Sequence, residues 1–128
     1  MADTLNVLDL TSPWLNASGM LGFTPHKGWP KGLDQGAFVT NPISFKPRHP
    51  ASNRAYVPFP GGFLMHTGWP NPGLKAAIRK YSSAWSRSPI PVWVHVITNE
   101  ASELQSMVRS LEEVEGVMAI ELSLPPGI

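Results

Sequence analysis

The clearest periodicity lies in the second half of the chain, where Leu74, Ala77, Ile78 and Tyr81 recur at helical spacing behind Asn71 and Pro72. A helix is predicted there, with Asn71 as its cap and Pro72 in its first position, and Pro89 and Pro91 forbid its continuation. Val92 to Ile97 follows as a β-branched, almost wholly apolar run, the pattern of a strand covered on both faces. Thr98 or Asn99 is then placed to cap a second helix. Glu100 and Glu103 lie near its positive end, Leu104, Met107, Val108, Leu111 and Val114 form its stripe, and Gly116 ends it. Val117 to Leu122 reads as the next buried strand. Strand, helix and strand on short links make a right-handed βαβ unit, so the predicted class is α/β with a parallel sheet.

The first half is less regular, because most of the 14 prolines and 11 glycines crowd into residues 19 to 73. Within it, Trp14 to Ser18 and Gly36 to Thr40 read as short strands, which brings the expected count to about four parallel strands with intervening helices. The C-terminal ends of such strands carry the active sites of α/β folds, and here those ends are Ala17-Ser18-Gly19, Thr40-Asn41, Ile97-Thr98-Asn99 and Leu122-Ser123. Residues 42–70 form a link far longer than ordinary connections, expected to be a functional insertion on the active-site side of a single domain spanning 1–128.

Composition narrows the function. The chain has 42% hydrophobic residues, enough to collapse, but only 15% charged ones, against roughly a quarter in ordinary domains. A surface so poor in charge calls for a partner, a cofactor or further sequence. The net charge of +1 is scattered, which argues against nucleic acid and anionic membranes. No apolar run approaches the roughly 18 residues of a membrane span, and Asp3 and Asp9 are foreign to a signal peptide. Without cysteine there is no disulfide or thiolate site, in keeping with a reducing compartment, and the expected location is the cytoplasm. His26, His49, His66 and His95 lack ligand spacing, so no metal is expected.

Asn16-Ala17-Ser18-Gly19, Gly36-Ala37-Phe38-Val39-Thr40, Lys46-Pro47-Arg48, Pro60-Gly61-Gly62, Gly68-Trp69-Pro70-Asn71-Pro72-Gly73 and Ile120-Glu121-Leu122 stand in one order along the chain. In order and spacing they resemble dihydroorotate dehydrogenase, its soluble class in particular. The resemblance covers about the first 40% of that family's length. It implies the N-terminal half of a (β/α)₈ TIM barrel, FMN across its mouth, oxidation of a CH–CH bond in a small-molecule substrate, and a place in pyrimidine biosynthesis.

The resemblance also assigns residues. Ala17, Ser18 and Gly19 are implied to run along the flavin, glycine allowing close approach. Asn41 stands where the family has a flavin-contacting lysine and brings no positive charge. Met65 stands at the substrate-loop asparagine, with Thr67, Gly68 and Trp69 gripping substrate through backbone. Ser123 replaces a further asparagine and Ile128 another, while the catalytic base position is Pro126, which accepts no proton, so no catalytic residue is assigned. The family's phosphate site belongs to strands beyond this chain.

His95 is read either as a satisfied core histidine or as a flavin contact; Glu121 either as half of a structural ion pair or as a catalytic acid. The five tryptophans and the proline-rich link show no regular spacing for a peptide-binding surface. Two functions stay open: a divergent flavin-dependent dehydrogenase, or a non-catalytic barrel scaffold that binds no flavin. Half a barrel leaves open edges and a wet inner face, so a homodimer, or the missing C-terminal half, is expected to complete it.

Overall fold

The computed structural model describes residues 8–26, 34–52 and 55–123. Its elements in chain order are β1 (Phe38–Val39), β2 (Ile43–Ser44), β3 (Tyr56–Phe59), β4 (Gly62–Met65), α1 (Leu74–Ser86), β5 (Val92–Ile97), α2 (Ala101–Glu112) and β6 (Val117–Leu122).

β5 is the axis of the fold. β6 lies parallel along one edge, and β1 and β2 lie parallel along the other, β1 beside Val92 and Trp93 and β2 beside Val96 and Ile97. Thr40 joins β1 to β2 in this ladder: its amide donates to the Trp93 carbonyl at 3.0 Å and its Oγ1 accepts from the His95 amide at 3.1 Å. A hydroxyl thus stands in for a backbone carbonyl where the chain turns at Pro42. Leu15 adds a single parallel bridge to Ala37 on the far side. The spatial order is therefore the chain order, as in one arc of a β/α barrel.

Alternation along β5 separates two faces. Val92, Val94 and Val96 point to the helices and pack with Phe38, Ile43, Leu74, Ala77, Trp85, Met107 and Leu111 in the hydrophobic core. Trp85 is buried completely, and its indole N–H donates to the Phe23 carbonyl at 2.7 Å, tying residues 21–23 to α1. Phe23 stacks on Tyr81, with ring centroids 5.1 Å apart. Trp93, His95 and Ile97 occupy the other face, toward the barrel interior.

Several expectations are corrected. The strand predicted over 14–18 shrinks to the Leu15 bridge, because the Asn16 carboxamide takes the place of backbone: Oδ1 accepts from the Val39 amide and Nδ2 donates to the Val39 carbonyl. The strand predicted over 36–40 is two residues long and resumes at Ile43. Asn71 does not cap α1, which begins at Leu74 behind Gly73. The Asn71 side chain instead bonds the amides of Ser44 and Gly73 and the Ser44 hydroxyl, pinning the end of β2 to the entry of the helix. Neither Thr98 nor Asn99 is the cap residue of α2, a position that Glu100 occupies. Thr98 works just ahead of it, accepting from the Glu100 amide and donating to Glu103. Gly116 lies beyond the end of α2 at Glu112. It has φ of +92°, and a Cβ there would lie 2.4 Å from the Trp85 carbonyl oxygen, so glycine lets the turn before β6 touch the end of α1.

Residues 56–65, inside the long link, form an antiparallel β3–β4 hairpin turning at Pro60-Gly61, with every strand residue exposed. The inner face is less wet than expected on its central strands: Val39 is 1% exposed and Ile97 5%. Exposure concentrates at the margins, in Trp14, Met20, Met118 and the hairpin. Among the described residues no helix is long and apolar enough to cross a membrane.

Candidate functional site at the C-terminal ends of the strands

Parallel strands deliver their last residues to one end of the sheet, where three constellations form. In the first, the Ser18 hydroxyl donates to the Thr40 carbonyl at 2.7 Å, and Asn41 and Gly22 exchange two bonds, Asn41 Oδ1 accepting from the Gly22 amide and the Asn41 amide donating to the Gly22 carbonyl. Ser18 and Asn41, predicted as neighbours of one ligand, are thus fixed to the same short stretch of backbone. Gly19 is exposed with φ of +88°, and no atom lies within 4 Å of where its Cβ would be. The turn therefore offers bare backbone to open space, as a planar ligand lying across it would require. Asn41 gives this place a carboxamide and no charge.

The second constellation joins β5 to β6. His95 pairs with Glu121 across the sheet, and Ser123 follows on the same face. His95 Nε2 lies 2.7 Å from Ser123 Oγ. Nδ1 lies 2.9 Å from Glu121 Oε1, but outside hydrogen-bonding alignment, so this buried nitrogen has no hydrogen-bond partner among the described residues. Burial holds the imidazole below its ordinary pKa and the nearby Glu121 carboxylate partly opposes that. The structure thus gives Glu121 the partner that an ion pair needs, while burial disfavours the charged form of the imidazole. Likewise His95 is only half satisfied, unlike an ordinary core histidine. Trp93, on the same face, also buries an indole N–H with no acceptor among the described residues.

The third is a cleft of about 370 Å³ between the residues after β2 and the turn from β5 into α2, lined by Lys46, Arg48, Trp69, Thr98, Asn99 and Glu103 among others. Trp69 has φ of +48°, uncommon and costly for a bulky residue, and is held there by Thr67 Oγ1, which accepts its amide, and by Asn71 Nδ2, which donates to its carbonyl. Arg48 sits over its ring at 5.8 Å and bonds the Gly68 carbonyl. Thr67, Gly68 and Trp69 thus form one loop anchored to segment 48–51. Met65 does not join it in the cleft, since it ends the hairpin and is 65% exposed. Pro126 and Ile128 lie outside the described residues.

A family model for dihydroorotate dehydrogenase matches residues 1–127. The chain belongs to the dihydroorotate dehydrogenase family. Curated relatives agree. The catalytic subunit of dihydroorotate dehydrogenase B (NAD(+)) from Pelobacter propionicus is 30% identical over 125 residues, covering 97% of this chain and 41% of the relative. The subunit of the same name from Pyrococcus furiosus is 29% identical over 117 residues, 89% of this chain and 38% of the relative. That from Maridesulfovibrio salexigens is 30% identical over 118 residues, 91% and 39%. The chain spans about two-fifths of the length of the curated dihydroorotate dehydrogenases it matches. The fold is accordingly α/β, with parallel strands and intervening helices consistent with part of a TIM barrel.

Sequence reasoning missed the His95–Ser123 pair. Alternation had put both residues on the inner face, but their meeting depends on the register of β6 against β5, and that register shifts between Val92 and Trp93.

Proposed function

We propose that this chain forms the N-terminal part of an FMN-dependent oxidoreductase of the dihydroorotate dehydrogenase type, acting on a CH–CH bond of a small cyclic substrate in pyrimidine biosynthesis in the cytoplasm. The observation that carries this reading is the match to the family over 1–127 in a chain whose Ala17–Gly19 turn and Asn41 meet at the mouth of a parallel sheet. The open space before Gly19 fits the flavin, and Ala17, Ser18, Gly19 and Asn41 are the residues that would hold it. Bound FMN would supply hydride acceptance. Around it, this chain supplies backbone along the ring edge, an uncharged amide at Asn41, and, through Thr67, Gly68 and Trp69, a substrate loop on the insertion 42–70. Ser123 faces the same interior.

The relatives' name of catalytic subunit suggests a partner subunit, and a closed barrel would draw its further strands from a longer chain or from a second copy. Anaerobic addition of dihydroorotate to FMN-reconstituted protein tests the reading. Bleaching of the flavin band is the expected result. Flavin that binds but stays oxidised means a different substrate. Protein that remains colourless and gains no thermal stability from FMN overturns the flavin reading in favour of a non-catalytic scaffold, the role that the uncharged Asn41 and the solvent-facing Met65 would allow.

A further inference from the structure

Ser123, His95 and Glu121 stand in the order that activates a serine hydroxyl, and we propose that Ser123 is a nucleophile able to accept an acyl group from small activated esters, with His95 as its general base. The inference is independent of flavin. It starts from the tautomer of His95. Glu121 Oε1 is 2.9 Å from Nδ1, and a carboxylate at that distance favours a proton on Nδ1 even without good alignment. A neutral ring protonated on Nδ1 has its lone pair on Nε2. Ser123 Oγ, 2.7 Å away, is therefore the donor in that hydrogen bond. Burial keeps the ring neutral at working pH, the state a base must be in to accept a proton. Such an arrangement of hydroxyl, imidazole and acid is recognised by geometry and not by fold.

Access supports the same role. Ser123 is half-buried, and the Glu121 side chain beside it is 40% exposed. Ala119, the register partner of Trp93, brings only a methyl group to the β6 side of the layer below. The step balances without a cofactor. Ser123 Oγ adds to the ester carbonyl as its proton passes to Nε2, the carbon–oxygen bond to the leaving group breaks, and that group takes the proton from Nε2 or departs as its anion. Water then attacks the acyl-serine, giving the carboxylic acid and restoring Ser123. Among the described residues Glu121 is the charged group that acts on the imidazole, and Ser123, bonded to its Nε2, is uncharged.

Treatment of the full chain with p-nitrophenyl acetate tests this, with nitrophenolate release followed by absorbance and the acetyl group located by tandem mass spectrometry. The expected result is an acetyl on Ser123 and a release rate at least about ten-fold lower in Ser123→Ala and in His95→Gln. Acetyl found only on lysines or on His95, with an unchanged rate in Ser123→Ala, overturns the proposal. Because the chain has no cysteine, Ser123→Cys introduces a unique thiol and keeps the test independent of acyl-enzyme lifetime. Near pH 7 that thiol should react with iodoacetamide at least about ten-fold faster when His95 is present than in the double variant with His95→Gln. Equal rates in two folded variants, judged by circular dichroism, also overturn it.

Discussion

The two faces of β5 are built from alternate residues of one six-residue strand and end in opposite states. The face of Val92, Val94 and Val96 is closed: all three are fully buried against α1, α2 and their apolar stripes. On the face of Trp93, His95 and Ile97, two buried nitrogens lack hydrogen-bond partners among the described residues, and the neighbouring strand leaves a carboxylate half in water. Buried polar groups left unpaired cost stability, so folds retain them where a ligand, another segment or chemistry makes use of them. The closed face holds the hydrophobic core; the other face holds the unpaired polar groups. Substitutions on the first face should therefore act through stability, and those on the second through binding and reactivity.

The largest effect is expected at the closed face. Trp85→Ala removes the largest buried side chain and its bond to Phe23, and should cost about 3–5 kcal/mol in urea denaturation. Gly116→Ala should cost about 2 kcal/mol, because it forces a Cβ against the Trp85 carbonyl at a φ of +92°. At the open face, His95→Leu should stay within about 1 kcal/mol of the parent, since it removes a polar ring that is only half satisfied. A loss as large as that of Trp85→Ala would erase the distinction between the faces. The subtlest expectation concerns pH. Burial holds the His95 pKa below its unfolded value, so the unfolded chain binds the extra proton first. Its contribution to stability is full above about 6.5 and is lost as pH falls through the lower folded value. Thermal melts should show this loss in the parent chain and its absence in His95→Leu.

The same contrast explains what was legible in the sequence. The bounds of β5 and β6 are legible to the residue, because apolar runs between breakers have one good solution, but β6, expected to be buried, is only partly so. The stripes of α1 and α2 are legible because their spacing encodes the buried side. Helix starts mislead where a polar side chain ahead of the helix bonds the cap residue and also reaches across the fold. Asn71 binds Ser44, 27 residues away, which no local cap signal reveals. The hairpin is hidden by Pro58, which counts against a strand unless the strand is an edge. At the site, the strand ends are legible from topology alone. The union of His95 with Ser123 is not, since it rests on a register irregularity at Val92 and Trp93.

Sedimentation equilibrium on the refolded 128-residue chain tests most directly whether the inner face and the sheet edges of this arc require completion. With Trp14, Met118 and the hairpin side chains exposed, the expected result is self-association, a second copy covering these apolar surfaces and the sheet edges. A monomer near 14.0 kDa that melts in one sharp cooperative transition would contradict it.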